Sequence, residues 1–241
     1  QGAIGPGDQS ERIVRWVMKG HRKLSRQEIV SPVGIPVAFF SEGRGRIVVV
    51  CTKGLFRYDL NRNLILQPFK SDATLPACID IISATRDRKG NSLLGTSGNG
   101  VFKSQRTIPG LVQLSSPGNK NVNLDHSSVG TIFTDRNDNI WLGCYAKGLF
   151  EIDSENRPFQ SWSLSEQGYI SGNAIESIAD DSEGIVWGLA GDDGLYGFDR
   201  KGNVVKHLET PKSPDCIMRD LQGRMWLATR SMLYGFNPES K

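Results

Sequence analysis

The amino-acid sequence predicts an all-β fold built from repeated antiparallel sheets, and two observations carry this prediction. The first is a motif that is clearest over 135–153 and recurs, with changes, over 87–102, 181–196 and 220–236, after a more divergent copy over 42–59. The second is a regular spacing. The glycines that open the second half of the motif lie 46, 48 and 46 residues apart, at Gly54, Gly100, Gly148 and Gly194. Repeats of this length are typical of propeller blades and of solenoid units.

The content of one repeat distinguishes between these two architectures. Residues 129–134 alternate as a first strand, and 135–139 form an Asp- and Asn-rich reversal whose side chains can bond their own backbone. Three further short apolar runs follow, at 140–142, 149–152 and 159–164. No run has the i, i+3, i+4, i+7 spacing of an amphipathic helix, so helical solenoids are excluded. Each repeat is therefore predicted to be a four-stranded antiparallel meander.

A single sheet of this kind cannot bury its own faces, so neighbouring sheets must pack on one another. Arranged radially, such sheets form a β-propeller, in which only short sheet edges remain. Four repeats have a large apolar residue at the same position of the second strand, which supports this arrangement. The residue is tryptophan in three repeats, at Trp141, Trp187 and Trp226, and leucine in the fourth, at Leu93. We expect the three indoles to be buried between successive blades.

The predicted domain organisation is one β-propeller over residues 1–241, with five blades. The repeats are expected at approximately 37–70, 78–114, 128–164, 174–209 and 214–241. The last repeat supplies only three strands, whereas two β-rich runs, 13–18 and 23–30, precede the first repeat. In one interpretation, a strand from residues 10–30 completes the last blade and closes a five-bladed ring. In the alternative, the chain is part of a larger propeller.

Composition and charge argue against several functional classes. The net charge is +3 and the pI ≈ 8.7, with acids and bases interspersed, so we expect no nucleic acid partner. Apolar runs fall far short of the ~20 residues that cross a bilayer, and we expect membrane attachment only through segments absent from this chain. The four cysteines have no metal-type spacing. We interpret them as buried free thiols, with a disulfide as the alternative, and expect no metal and no cofactor.

The repeated motif resembles that of a known family. Asp-x-x-Gly/Asp-Asn-Ile-Trp-Leu-Gly, followed after a short gap by Gly-Leu-Phe-x-Ile/Tyr-Asp, is similar to the two-component regulator propeller repeat over residues 42–237. The resemblance implies a β-propeller in the extracytoplasmic, or periplasmic, sensor region of a bacterial hybrid two-component system. The copies depart from the family's motif at Leu93, in the tryptophan-free run 48–50 and at 230–232, where the glycine is missing.

A ligand site must be sought in the loops, because the repeats explain only the scaffold. In a meander blade, the loop between the second and third strands and the connection to the next blade emerge on one face, which we name the loop rim. Residues that break the repeat there are free to serve binding. The candidate ligand-binding residues are His126, Tyr145, Lys147, Tyr169, Asp192, Asp193 and Arg230. Their polar groups and aromatic rings suit an oligosaccharide ligand.

Three functions of different classes compete. Most aspartates recur at equivalent places in successive repeats, which indicates structural roles, and the sequence has no nucleophile elbow, zinc-protease motif or phosphate loop. We therefore predict no catalytic residues and a sensor that binds a carbohydrate or another propeller, either a second copy or a neighbouring one. The alternatives are a propeller hydrolase or lyase acting on a glycan or a small cyclic ester, and a purely structural dimerisation module.

Overall fold

The computed structural model describes residues 34–68, 79–104, 111–114, 124, 126–152, 160–162 and 174–238, together with two earlier strands, β1 (Arg12–Lys19) and β2 (Arg22–Val30). The chain divides into two compact units, Gln1–Ser71 and Asp72–Lys241. All regular structure in the described residues is β-strand, except for a 3-10 turn at Gly191–Asp193. No helix in the described part of the chain is long and apolar enough to cross a membrane.

The first unit contains a hairpin and one four-stranded sheet. Strands β1 and β2 pair antiparallel, from Arg12 opposite Val30 to Lys19 opposite Arg22. The sheet consists of β3 (Pro36–Gly43), β4 (Arg46–Cys51), β5 (Gly54–Asp59) and β6 (Leu64–Pro68), which pair in chain order. Its core consists of the buried side chains of Val49 and Cys51 on the second strand and of Phe56 and Tyr58 on the third.

The second unit contains four sheets, each an antiparallel meander in chain order. The first two are β7 (Ile81–Arg86), β8 (Ser92–Thr96), β9 (Val101–Ser104) and β10 (Leu111–Leu114), and then β11 (Val129–Thr134), β12 (Ile140–Cys144), β13 (Gly148–Ile152) and β14 (Gln160–Trp162). The next two are β15 (Ser177–Asp180), β16 (Val186–Leu189), β17 (Leu195–Phe198) and β18 (Val204–Leu208), and then β19 (Pro214–Arg219), β20 (Met225–Thr229) and β21 (Leu233–Phe236).

These five sheets confirm the predicted fold class, an all-β arrangement of antiparallel propeller blades. The last sheet has three strands among the described residues, as the sequence predicted. Completion of that sheet by residues 10–30 involves both units, and it stays a prediction, as does the assignment of 1–241 to a single domain.

An aspartate closes the turn between the first and second strands of each sheet in the second unit. In the β11–β12 turn, Asp135 Oδ1 accepts the backbone N–H groups of Asn137 and Asn139 at 2.8 and 2.9 Å. Its other oxygen, Oδ2, accepts the indole N–H of Trp141 at 3.1 Å. The same pair of interactions recurs in the next two sheets, as Asp181 with Trp187 and Asp220 with Trp226. One side chain thus fixes both the turn and the tryptophan.

The copy that lacks tryptophan keeps the aspartate and changes its partners. Asp87 accepts the backbone N–H and the side-chain amide of Asn91, both at 2.7 Å. Leu93, at the tryptophan position, has no donor to offer. Lys103, from the third strand, places its Nζ 3.6 Å from Asp87 Oδ2 instead. The turn stays closed without the indole because Asn91 still donates to Asp87, and the Lys103 ammonium group takes the place of the indole beside Oδ2.

Two of the three tryptophans pack between their own sheet and the next sheet of the second unit. Trp141 is buried among Ile175, Ile178 and Val186 of the next sheet, and Trp187 is likewise buried against the sheet after its own. These two positions agree with the predicted interblade packing. Trp226 is half-buried, because its sheet is the last in the second unit.

Close approach between successive sheets explains the glycine that ends the Trp-Leu-Gly motif. A Cβ atom on Gly95 would lie 2.7 Å from the carbonyl oxygen of Val129, and one on Gly143 would lie 2.5 Å from that of Ile175. Both carbonyls belong to the next repeat. The Ser83 hydroxyl also donates to the Val129 carbonyl over 2.7 Å. First strands of successive sheets are therefore neighbours, and their ends meet around one cavity.

Candidate functional site

The first group of loop-rim candidates lies at one end of the sheet formed by β11 to β14. The Tyr145 backbone N–H donates to the Ser128 carbonyl at 3.0 Å, and Lys147 Nζ donates to Ser127 Oγ at 2.7 Å. These bonds tie the β12–β13 turn to the connection that precedes β11. His126 lies in this connection, directly before Ser127, with a left-handed φ of 61°. The structure therefore brings His126, Tyr145 and Lys147 to the same part of the loop rim.

Tyr145 presents an aromatic ring to solvent. Its ring lies over the backbone at Gly130, where a Cβ atom would come within 2.8 Å of a ring carbon, so a larger residue there would displace the ring. The residue remains 48% exposed. An exposed aromatic face beside a lysine and a histidine can pack against a sugar ring while the polar groups bond its hydroxyls.

The second group is the acidic pair of the 3-10 turn. Asp192 Oδ1 accepts the backbone N–H of Ser213 at 2.7 Å, and the Asp193 carbonyl oxygen lies 2.9 Å from His207 Nε2. The His207 ring in turn stacks on Tyr196 at a centroid distance of 4.4 Å. Both acids are exposed, and within the described ranges no group of three His, Cys, Asp or Glu side chains is arranged to hold a metal ion.

The remaining two candidates stand apart from these groups. Arg230 is exposed in the β20–β21 turn, which the Thr229 N–H closes by donating to the Met232 carbonyl at 2.9 Å. Tyr169 lies outside the described residues. The six described candidates occupy turns or connections at the end of each sheet where the second strand finishes. That they share one binding site stays a prediction.

A cavity opens at the other end of the second unit's sheets, where the first strands finish. Its volume is ≈ 440 Å³. We name it the arginine cavity, after the charged residues that line it, which are Arg86, Arg88, Asp135, Arg136, Asp180 and Arg219. None of the six described loop-rim candidates lines it. Sequence reasoning missed this cavity, although a signal was present, since most of these side chains directly flank the turn aspartates.

Asp180 links two of the arginines across three sheets. Its Oδ2 lies 3.3 Å from Arg136 Nε and its Oδ1 lies 3.2 Å from Arg219 Nε. Arg136 also donates through Nη2 to the carbonyl oxygen of Asp181 at 3.0 Å. The carboxylate thus holds two guanidinium groups, from the β11–β12 turn and from the end of β19, on either side of itself.

Two pKa values show how strongly local contacts act on titratable groups. The indole N–H of Trp226 is the largest cause that lowers the pKa of Asp220, to about 2, and Arg224 contributes further. Burial raises the pKa of the Cys144 thiol to about 12. Cys144 is therefore a protonated core residue at neutral pH and no nucleophile.

The cysteines depart in part from the expectation of buried free thiols. Cys51 and Cys144 are free and buried as expected, but Cys216 is exposed. The reason is its position on β19, where it alternates with the buried Pro214 and Ile217 across a bulge in the strand. Cys78 lies outside the described residues.

The fold and the arrangement of repeats define the chain as a β-propeller, and solved structures share this fold. YCF48 from Cyanidioschyzon merolae matches with a TM-score of 0.70 at 17% identity, over 94% of this chain and 75% of that one. The extracellular domain of BT3049 from B. thetaiotaomicron, described as a hybrid two-component system, matches with a TM-score of 0.68 at 21% identity, over 87% of this chain. The extracellular domain of BT4673 from the same organism matches with a TM-score of 0.64 at 19% identity, over 89% of this chain.

The sequence comparison identifies the repeat. The model of the two-component regulator propeller family matches residues 123–146, which contain β11, the turn aspartate Asp135 and Trp141. The chain therefore carries the two-component regulator propeller repeat, as its motif predicted. A comparison with curated protein sequences finds no match. The chain spans 28% of the BT3049 structure and 29% of the BT4673 structure.

Proposed function

We propose that this chain is a ligand-recognition propeller in the extracytoplasmic sensor region of a bacterial signalling protein. Two findings support the proposal. The chain carries the regulator propeller repeat, and several structures of the same fold are extracellular domains of proteins described as two-component or one-component systems. In this role the propeller binds its ligand without chemical change, and other parts of the signalling protein report the binding.

We infer that the ligand is an oligosaccharide that contacts the loop rim at Tyr145. The observation that carries this inference is the exposed Tyr145 ring, held over Gly130 in the same turn as Lys147. An aromatic face contributes affinity for a sugar ring, and the neighbouring lysine and His126 supply hydrogen bonds that orient it. Tyr169 and the groups at Asp192, Asp193 and Arg230 extend the same surface in this proposal.

The test is calorimetric titration with a panel of oligosaccharides, repeated on Y145A. We expect at least one panel member to bind the parent and to bind Y145A about tenfold more weakly. L221A is the matched control, because Leu221 is 100% exposed on a turn at the other end of its sheet. Equal affinity of the parent and Y145A for a bound sugar would contradict the assignment. Chemical analysis of each sugar after incubation tests the hydrolase or lyase alternative, since a sensor returns its ligand unchanged.

A second candidate function is contact with another propeller, either a second copy or a neighbouring one. The last sheet favours it, because Met232 and Leu233, next to each other at the start of β21, are 58% and 62% exposed. Contiguous exposed apolar surface is a common feature of interaction sites. Light scattering should show a dimer that the substitution L233D converts to a monomer. A parent that is monomeric at all concentrations would exclude self-association.

A further inference from the structure

The arginine cavity is large enough for an organic ligand. Its volume of ≈ 440 Å³ falls within the range of about 300–1,000 Å³ that is typical of small-molecule sites. Apolar side chains of Phe133, Ile178, Ile217 and Met218 form the uncharged part of its lining. A bare ion would leave this apolar surface uncovered, so the cavity suits a molecule that has both a charged group and an apolar face.

Positive charge is in excess in the cavity. Four guanidinium groups line it, against the two carboxylates of Asp135 and Asp180. The Asp135 carboxylate already accepts backbone and side-chain donors of its own turn and the indole N–H of Trp141. Asp180 is shared between Arg136 and Arg219. Arg88 pairs with Asp138, at 3.6 Å between Nε and Oδ1. The carboxylates therefore position the turn and three of the arginines, and guanidinium groups outnumber carboxylates among the lining residues.

Hydrogen-bond donors in the cavity remain available to a ligand. Arg219 makes its contact with Asp180 through Nε, and within the described residues its two terminal nitrogens make no recorded hydrogen bond. Thr134 also lines the cavity, but its hydroxyl oxygen is buried and does not face a ligand there.

The residues that supply these groups vary between repeats, whereas the turn aspartate does not. The position directly before the aspartate is Arg86, Thr134, Asp180 or Arg219 in the four sheets of the second unit. A scaffold role would call for one residue type at equivalent places. The variation matches what a site shared by several blades requires, with a different chemical group from each blade.

We propose that the arginine cavity binds the oxyanion of a small organic ligand, a carboxylate or a sulfate ester. A planar guanidinium group forms two parallel hydrogen bonds with either anion. The ion pairs with Asp180 fix the positions of the Arg136 and Arg219 side chains in the cavity. The apolar lining packs against the body of the ligand. This site does not depend on the oligosaccharide proposed for the loop rim.

The test is calorimetric titration with glucuronate, glucose 6-sulfate and neutral glucose, at constant ionic strength. We expect the two charged sugars to bind and glucose not to bind. R219Q should weaken the binding of both charged sugars about tenfold, because it removes charge-assisted hydrogen bonds. R62Q is the matched control, since Arg62 is exposed on a turn of the first unit, and its affinities should equal those of the parent.

The outcomes separate this proposal from the others. R136Q, which removes the other guanidinium group that pairs with Asp180, should also weaken binding, and it serves as the test if circular dichroism shows R219Q to be misfolded. Y145A should leave the binding of the charged sugars unchanged, so failure of the loop-rim proposal does not affect this one. Absence of binding of both charged sugars, equal binding of glucose, or full affinity in both R219Q and R136Q would overturn the proposal.

Discussion

Replacing Trp187 by phenylalanine isolates one buried hydrogen bond of the second unit. The indole Nε1 donates to Asp181 Oδ2 over 2.8 Å, and both residues are fully buried. Phenylalanine keeps an aromatic ring in the core between the sheets but has no donor. Asp181 keeps its bonds to the backbone of Glu183 and Ile185 through Oδ1, so the turn stays closed while Oδ2 loses the indole.

The cost of W187F follows from these contacts. A hydrogen bond to a charged group contributes about 1.5–3 kcal/mol, and here the acceptor left behind is buried. Loss of the larger ring removes buried apolar atoms and adds about 1 kcal/mol, as for other small reductions of core volume. We therefore expect W187F to lower the free energy of unfolding by about 3 kcal/mol.

Urea denaturation followed by far-ultraviolet circular dichroism measures this loss without relying on tryptophan fluorescence. W226F is the matched control, because Trp226 makes the same bond to Asp220 at 2.9 Å but is half-buried, and water can replace the indole there. It should cost clearly less than W187F. In a double-mutant cycle with D181N, the coupling energy should exceed about 1 kcal/mol. Equal losses in the two phenylalanine variants, or no coupling, would refute the reasoning.

The remaining predictions concern a carboxyl group, a glycine and a thiol. The folded-state pKa of Asp220 is lowered to about 2, chiefly by Trp226, so its contribution to stability is present above the ordinary carboxyl pKa and is lost as the pH falls towards 2. W226F should raise this pKa in an NMR titration and move acid unfolding to higher pH; an unchanged titration would contradict the assignment. G143A should cost about 1–3 kcal/mol in the urea assay, because no Cβ fits 2.5 Å from a backbone oxygen, and a neutral effect would show that the sheets can separate. Burial raises the pKa of Cys144 to about 12, so a thiol reagent at neutral pH should label the exposed Cys216 and not Cys144, as mass spectrometry of the native protein will show.

The strands and turns could be predicted because their signals are local. The alternation over 129–134 and the Asp/Asn-rich reversal after it fix a strand and a turn from neighbouring residues alone, and the structure has β11 at Val129–Thr134. The sequence also carries a signal for the second role of the turn aspartate. Asp135 and Trp141 are six residues apart, as are Asp181 and Trp187, and this constant spacing reflects a hydrogen bond that crosses the turn.

The arginine cavity could not be predicted in the same way, because it depends on which strand ends meet. Arg136 and Arg219 are far apart in sequence, and only the packing of first strands against one another brings both guanidinium groups to Asp180. Each arginine is also next to a turn aspartate in the sequence. Because the aspartate recurs in successive repeats, it indicates a structural role, and the arginine beside it is easily assigned that role as well. The constant aspartate positions and the variable positions beside them differ in the direction of their side chains. The aspartate points into its own turn and must stay constant, whereas the flanking side chains point away from the turn and are free to differ from blade to blade. A search for functional residues in this chain should therefore begin at the variable positions next to the constant ones, at both ends of the sheets.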